Sequence, residues 1–439
     1  MGQWNGPGRW AARVAVCLVL SGCMAPGGTG DDETVSRFGA IGAGGGIGSE
    51  ATDESRSAVI SALQGRQSIL PPGSGYDQVA GAVLAANSRT AEAELRAARL
   101  RAEAASKNWL PKIGPNISLT SLSEVVATIF VEQVLFDHGR LRAERLFAKA
   151  DVEVAAVGLA QDTNERLESA LSLYLDTAEA RERFALEGRT LKDMSHFQWV
   201  MNERVQGGVS DRSDLNVLNQ KLAEIRARQA AAQEASVTAM AELNAMSGVP
   251  LDDVTGIDAL DVAGRGVKSL AVLRAEAERD RDIAQAQVDR AGLLPGLTAS
   301  GTTGSSSDGP DVTVGGGQLI GFGTGANLKA IEMAKDTAQR RVGQATEDAA
   351  RAERRLEARI VALERQASEA RQLETQAKAN LDLFQSQYDA GQRQVMDVVG
   401  VYETYASRQS AAVDLKYELA RTRLELARRL GLLADGSDI

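Results

Sequence analysis

The chain has 439 residues, of which 44% are hydrophobic but only 4% aromatic, and its formal net charge is −10. Long stretches rich in Ala, Arg, Glu and Gln are typical of long helices with closely packed, small-residue interfaces. The acidic balance argues against a nucleic-acid partner, because proteins of that class carry a basic footprint. With only two histidines, His138 and His196, the chain has little material for metal or acid–base chemistry. We therefore expect no enzyme activity and no cofactor or metal.

The N-terminus is typical of a secretory signal peptide. Arg9 and Arg13 precede an apolar run at 14–20 that is too short to span a bilayer. The run ends in Leu-Ser-Gly-Cys, which resembles a bacterial lipobox. The resemblance implies removal of residues 1–22 and acylation of Cys23 with a diacylglycerol anchor, since two or more acyl chains hold a protein stably on a membrane. The alternative is an ordinary signal peptide with a chance cysteine.

Residues 23–75 are predicted to form a lipidated, glycine-rich tether. The stretch 39–48 has no periodic pattern, and Pro71-Pro72-Gly73 closes the segment. By the sorting rule of bacterial lipoproteins, Met24 after the cysteine resembles an outer-membrane destination.

The rest of the chain contains one pattern twice. Each copy has a Leu-Pro step, a β-like stretch, a long proline-free helical run, a glycine break and a second helix. Gly208 and Gly391 mark the breaks, and Gly248 and Gly431 end the second helices, at one offset (391 − 208 = 431 − 248 = 183). Such a duplication predicts a fold built from two repeats rather than two catalytic domains.

The first repeat is predicted over 76–253, with strands at about 111–136. A connector at 254–266 leads to the second repeat at 267–434, with strands at about 295–321.

The helical runs predict two long antiparallel hairpins. Leu141–Val205 alone would extend about 100 Å, and 327–387 is similar. Apolar residues spaced by four and three positions between Leu356 and Tyr388 predict helices that pack side by side. The hairpin tips are predicted at about 205–211 and 388–397, where glycines supply the left-handed conformation that ends a helix.

The β-like stretches have roughly the length that a membrane-spanning strand needs. Four strands cannot close a barrel, since single-chain barrels begin at about eight strands, and open edges do not occur in lipid. If the strands enter a membrane, several chains must share one barrel, and three chains would supply twelve strands, a closed and even number. The alternative is a pair of soluble β-hairpins capping a coiled coil. The predicted fold class is thus mainly α with a small transmembrane β part.

Two segments resemble the TolC-type outer-membrane efflux protein family: Gln133–Arg140 at the strand-to-helix junction, and Tyr388–Asp397 at the second turn. The resemblance extends over about 76–434, and the lipobox points to the family's lipoprotein members. It implies a homotrimer with a twelve-stranded barrel in outer-membrane lipid, continued by an α-helical barrel in the periplasm. It also implies a passive exit duct, for tripartite efflux or type I secretion, joined to an inner-membrane pump through a periplasmic adaptor.

The same resemblance implies roles for residues near the tips. Asp397 aligns with an inner-facing acidic gate position, Arg393 with a basic residue that braces the closed tip, and Asp214 holds the equivalent place in the first repeat. Three Asp397 carboxylates would form a ring that favours cations. Where the best-known members have a second acid, this chain has Gly400, which puts a second ring in doubt. The alternative role of both aspartates is as first-turn carboxylates favoured by the helix dipole.

The turns themselves are the predicted adaptor-docking tips, with these residues: Gly207, Gly208, Val209, Ser210, Asp389, Ala390 and Gly391. Two other functions stay open at this point, a periplasmic adaptor and a lipid-anchored coiled-coil scaffold without a barrel. Two complete repeats oppose the first, because adaptors typically carry one hairpin flanked by compact β-domains.

Overall fold

The computed structural model describes residues 57–86, 90–121, 124–262, 266–304, 311–315 and 321–438. The predicted signal peptide, Cys23 and the tether as far as residue 56 lie outside the described residues. Within the described part, two long helical hairpins adjoin a small β-sheet, which confirms the predicted fold class.

One short helix, α1 (Ala58–Gln64), precedes the first repeat. The helices of the repeat are α2 (Gly75–Ala85), α3 (Thr90–Ser106), α4 (Arg140–Gln206) and α5 (Arg212–Ser247). With 67 residues, α4 is about 100 Å long.

The second repeat contains α6 (Leu270–Gly292), α7 (Thr324–Asp389) and α8 (Val395–Leu430). The helices α5 and α8 both have 36 residues. Both ends of α8 lie 183 residues after the ends of α5 (395 − 212 = 430 − 247 = 183). Each helix stops at a glycine in the left-handed conformation, Gly248 with φ 66° and Gly431 with φ 65°. The duplication therefore holds at the level of single residues.

The four strands form one antiparallel sheet in the order β1-β2-β3-β4. They are β1 (Lys112–Ser121), β2 (Glu124–Phe136), β3 (Leu297–Gly304) and β4 (Asp311–Gly315). Pairing of β2 with β3 joins the two repeats, while β1 and β4 lie at the edges. The last residues predicted for the final strand, 316–320, lie outside the described residues.

The strand register separates the side chains into an apolar face and a polar face. Val131 lies opposite Ile113 on one neighbour and Gly301 on the other, so these three share a face. Of the strand residues with described side chains, that face has Ile113, Pro115, Ile129, Val131, Gln133, Ala299 and Gly301. The opposite face has Lys112, Thr128, Phe130, Glu132, Val134, Thr298, Ser300 and Thr302. On the apolar face Ile113 and Ile129 are 70% and 51% exposed, so this face does not cover a core of its own chain.

A β-bulge extends the apolar face to the end of the sheet. The register shifts between Val134 and Phe136, which places Phe136 opposite Leu297. Leu297 shares the face of Ala299, two residues further along β3. Phe136 and Leu297 are both exposed, and they form the rim of the apolar face next to the helices.

The helices lie side by side, with α4 contacting α3, α5, α6 and α8, and α7 contacting α6 and α8. The largest apolar core joins α2, the middle of α4 and the ends of α5 and α8. A second core joins both hairpins near their tips.

One sequence prediction is wrong: the tether does not continue to residue 75, because residues 57–75 are folded. Leu63 of α1 is buried against α4 and α6, and Leu70 is buried in the largest core. Arg66 is buried and its guanidinium donates to the carbonyl oxygens of Leu430 and Lys268, the second at 2.8 Å. Burial lowers the pKa of Arg66 to about 10. The glycine-rich composition that predicts a tether ends before these apolar residues begin.

Candidate functional site: the two hairpin tips

Both hairpin turns have the same hydrogen bonds at positions 183 residues apart. In the first, Gly208 N donates to Val205 O at 3.1 Å and Val209 N to Arg204 O at 2.8 Å. In the second, Gly391 N donates to Tyr388 O and Gln392 N donates to Gln387 O, each at 2.8 Å. Gly208 and Gly391 have φ of 71° and 76°, which L side chains rarely adopt. Each turn is thus a Schellman motif that uses helix-end carbonyls and reverses the chain.

The predicted docking residues lie in these turns. Val209 is 69% exposed, and Ser210 accepts a hydrogen bond from Arg204 Nε at 3.1 Å. Asp389 is the last residue of α7, and Ala390 and Gly391 follow it in the turn.

The two predicted gate aspartates occupy the first turns of α5 and α8. Gln394 N donates to the Asp397 carboxylate at 3.2 Å, so Asp397 closes a capping arrangement on its own helix. The capping role at the start of α5 belongs to Asp211, whose carboxylate accepts from Ser213 N at 3.2 Å. Asp214, which is half-buried, is the only acidic residue in the first turn of the described α5. Asp397 is exposed and forms no ion pair within the described residues.

Arg393 makes its contacts inside its own hairpin. Its Nε donates to Gln387 Oε1 at 3.0 Å, and its guanidinium lies 4.5 Å from the ring centroid of Phe384. Within the described residues no ion pair joins Arg393 to Asp214. Arg393 thus contacts Gln387 and Phe384 at the end of α7, and the single chain does not pair it with Asp214.

An apolar core lies directly behind the tips and contains residues of both hairpins. Its buried members are Met194, Phe197, Met201, Leu218, Leu222, Ile225, Leu381, Val395, Val398, Val399 and Tyr402. The tips are therefore held to each other by packing within one chain.

Asp193, Lys221, Tyr402 and Glu403 form a polar clasp beside this core. Tyr402 Oη donates to Asp193 Oδ2 at 2.7 Å, from α8 to α4. On the neighbouring position of α8, Glu403 pairs with Lys221 of α5. Burial raises the pKa of Tyr402, and the hydrogen bond to the Asp193 carboxylate and its charge add to the rise. The clasp joins the two hairpins through groups from three helices.

Further from the tips than the clasp, ion pairs join α4 and α8 along their contact. Arg183 Nη2 lies 2.7 Å from Asp414 Oδ1, and Arg421 Nη2 lies 2.6 Å from Asp176 Oδ1. Glu182 accepts from both Lys416 and Tyr417. The sequence did not predict these ion pairs or the clasp. Their partners are 182 to 245 positions apart in the chain, and such contacts leave no local pattern.

Two further observations concern membrane-spanning helices and metal sites among the described residues. No helix among them combines the length and low charge needed to cross a bilayer. No group of His, Cys, Asp and Glu within the described ranges could hold a metal ion.

Comparison with known families identifies this architecture. Residues 86–249 match the sequence family described as outer membrane efflux protein. The matched region includes β1, β2 and the whole first hairpin, and the second hairpin repeats it. The first repeat is therefore similar to the outer membrane efflux protein family. The resemblance inferred from the strand-to-helix junction and the second turn is thereby confirmed.

Solved outer-membrane proteins share the fold over most of the chain. The outer membrane protein VceC of Vibrio cholerae is 17% identical, with a TM-score of 0.69, over 81% of this chain and 96% of VceC. The CmeC outer membrane channel of Campylobacter jejuni is 13% identical, with a TM-score of 0.68, over 83% of this chain and 87% of CmeC. The MtrE outer membrane channel of Neisseria gonorrhoeae, in its open state, is 18% identical, with a TM-score of 0.68, over 82% of this chain and 90% of MtrE. No curated protein sequence matches the chain. At these identities the common property is the TolC-type fold, which here spans both repeats.

Proposed function

We propose that three copies of this chain form an exit duct, with a twelve-stranded barrel in the outer membrane and a helical tube in the periplasm. The observation that carries the proposal is the four-stranded sheet, which has one apolar face, one polar face and two open edges.

The open edges require partners if the sheet lies in lipid. Unpaired backbone groups cost several kcal/mol each in hydrocarbon, so only closed arrangements of strands span membranes. Four strands are too few to close, because single-chain barrels start at about eight strands. Joining the β4 edge of one copy to the β1 edge of the next closes a barrel of twelve strands.

The two faces of the sheet fit the two environments of such a barrel. Strands of outer-membrane barrels alternate apolar residues toward lipid with polar residues toward the lumen. The face of Ile113, Ile129 and Val131 would then contact lipid, and the face of Lys112 and Glu132 would line the pore. A scaffold in the periplasm would instead expose this apolar face and both edges to water, which promotes aggregation.

The rest of the assembly follows the same geometry. The helical hairpins continue from the strands, so three copies would extend the pore as a tube of about 100 Å. An acylated Cys23 would anchor each copy in the same membrane. The exposed turns at the far end, including Val209 and Gly391, would dock a periplasmic adaptor that joins the duct to an inner-membrane pump.

The gate follows from the position of Asp397. It is exposed in the first turn of α8, next to the second tip, so three copies would set three carboxylates around the narrow end of the tube. Such a ring concentrates cations at a constriction. Arg393 would keep the turn rigid through Gln387 and Phe384, and Asp214 would supply a second carboxylate from the first hairpin.

The duct can be tested with the full-length protein in outer-membrane fractions and planar bilayers. We expect a trimer that resists urea extraction, dissociates on heating in SDS, and forms a conducting pore. The Cys23→Ser variant should keep the barrel and stay in the membrane. If urea releases wild-type protein and the Cys23→Ser variant becomes soluble, the chain is a lipid-anchored scaffold and the proposal is wrong.

A further inference from the structure

A basic cavity lies where the strands meet the helices. It has a volume of about 600 Å³, within the usual range for ligand sites. Arg142 from the start of α4, Arg290 from the last turn of α6 and Lys335 from α7 line it, together with His138. Among the described residues no carboxylate lines the cavity.

The positive charge of the cavity is only partly neutralised by its surroundings. Arg142 and Arg290 are exposed and form no ion pair within the described residues, whereas Lys335 lies 3.5 Å from Glu332. The neighbouring carboxylate, Asp289, lines a separate cavity instead of this one. At least two cationic groups are therefore available to a bound anion.

The placement of Arg142 is unfavourable for its own helix. The N-terminal end of a helix carries partial positive charge and favours anions. The first turn of α4 has Arg140 and Arg142 and no acidic residue. Asp137 precedes the helix, and its carboxylate accepts from Gly139 N at 3.0 Å and Leu141 N at 2.7 Å. Arg140 pairs with Glu144 at 3.7 Å, so Arg142 is the cation at this end that contradicts the local rule, and such exceptions concentrate at functional sites.

The cavity is continuous with the apolar face of the sheet. His138, in the cavity wall, packs edge-to-face on Phe136 with ring centroids 4.7 Å apart. Phe136 lies opposite Leu297 at the rim of that face. Leu146 and Leu294 add apolar surface to the cavity itself. A molecule bound here would thus meet cationic groups at one end and exposed hydrocarbon at the other.

We propose that this cavity binds the phosphate headgroup of an anionic phospholipid, whose acyl chains lie against Phe136 and Leu297. Guanidinium groups match phosphate oxygens in charge and geometry, and lysine adds a point charge. The proposal rests on the proposed function, because only a sheet in the outer membrane brings phospholipid to this level. The headgroup comes from the leaflet on the helix side of the sheet.

The site occurs once in each chain despite the duplication. At the offset of 183, Gly325 replaces Arg142 and Val152 replaces Lys335. Lys107 corresponds to Arg290 and pairs with Glu103 at 3.0 Å. A trimer would therefore hold three such lipids.

Lipid titration of the purified full-length trimer in neutral detergent tests the site. Native mass spectrometry would count the retained lipid, and thermal unfolding would report stabilisation, with phosphatidylglycerol, phosphatidylcholine or inorganic phosphate as the probe. We expect saturable binding of phosphatidylglycerol that weakens in high salt. Removing one charge should weaken binding about fivefold, so the variant Arg142→Gln/Arg290→Gln/Lys335→Gln should bind about a hundredfold more weakly.

A matched control removes three exposed cations far from the sheet, Lys192→Gln/Arg226→Gln/Arg408→Gln, and should bind phosphatidylglycerol like wild type. Unchanged binding by the first triple variant overturns the inference, and so does equal stabilisation by phosphatidylcholine or by inorganic phosphate. If the triple variant does not assemble, the single variants Arg142→Gln and Arg142→Lys are compared. Only Arg142→Lys should keep the wild-type affinity for phosphatidylglycerol. A wild-type chain that forms no trimer refutes the proposed duct, whereas a trimer that inserts but ignores phosphatidylglycerol refutes this site alone.

Discussion

At the scale of single residues, the structure separates two roles that sequence reasoning gave to the same carboxylate. Asp397 accepts a hydrogen bond from Gln394 N at the start of α8, which any first-turn acceptor could do. Its charge, however, has no partner among the described residues, and it lies next to the exposed turn. The cap and the charge can be tested independently because an asparagine keeps the acceptor and loses the charge.

The first prediction concerns this charge. In Asp397→Asn we expect block of the pore by divalent cations to need about tenfold higher concentration, because the carboxylate ring is lost. Trimer stability should stay within about 1 kcal/mol of wild type, since the cap is retained. Conductance in planar bilayers measures the block, and Glu347→Gln on the surface of α7 is the control. An unchanged block would remove Asp397 from the gate.

The second prediction concerns Tyr402. Its pKa is raised above the ordinary value of about 10 by burial and by Asp193. A group with a raised folded pKa contributes stability that is complete below its unfolded pKa and is lost as pH rises toward the folded value. We therefore expect unfolding to become easier above about pH 10, with a shallower dependence in Tyr402→Phe. At neutral pH the variant should lose about 1.5–3 kcal/mol, the usual range for a hydrogen bond to a charged group. Thermal unfolding from pH 7 to 11 measures both, and identical pH profiles would contradict the raised pKa of Tyr402.

At the scale of elements, the helices and turns were predictable and the inter-helix contacts were not. Proline-free runs, apolar spacing and the glycines of the turns have local physical causes, so the sequence alone placed both hairpins and both tips. The sheet was harder to read, because Phe130 and Val134 interrupt its polar face and only the strand register shows which residues share a side. The clasp and Arg66 depend on residues more than 180 positions apart, for which one sequence holds no signal.

The sheet gives the third prediction. A charge placed on a lipid-facing barrel position costs about 2–4 kcal/mol near the bilayer centre. Ile129→Arg should therefore reduce the fraction of heat-dissociable trimer in the outer membrane. Thr302→Arg, on the polar face of the same sheet, should assemble like wild type. Equal assembly of the two variants would show that the apolar face does not contact lipid.

The fourth prediction uses the two glycines that end α5 and α8. Both have nearly the same φ, so Gly248→Ala and Gly431→Ala should suffer the same backbone strain of about 1–2 kcal/mol. A Cβ on Gly431 would lie 2.1 Å from Arg66 Nη1, whereas one on Gly248 would meet Ala86 Cβ at 3.6 Å. Gly431→Ala should therefore cost more than its matched partner by at least about 1 kcal/mol in thermal unfolding. Equal costs would mean that Arg66 and Leu270, whose Cγ would lie 2.8 Å from the new Cβ, both move aside freely.

At the scale of the whole molecule, the duplication and the sheet depend on each other. The two repeats meet in one sheet through β2 and β3, and each brings one hairpin. The TolC-type fold follows from this order of elements, which the sequence shows directly. The repeats also differ: the basic cavity lies where α4 meets α6 and α7, and Arg393 contacts Gln387 and Phe384 in the second hairpin.

The equal length of α5 and α8 has a consequence for how such a duct can change its reach. The returning helices α5 and α8 have 36 residues each, and the outgoing helices α4 and α7 differ by one residue, 67 against 66. Removing seven residues from each of α4, α5, α7 and α8 should shorten the tube by about 10 Å and keep its end flat. The same deletion in one hairpin alone should leave a stepped rim, visible by electron microscopy and unable to seat a ring of adaptors. The length of the helical tube therefore depends on both repeats. The distance that the duct spans can change only when both hairpins gain or lose the same number of residues.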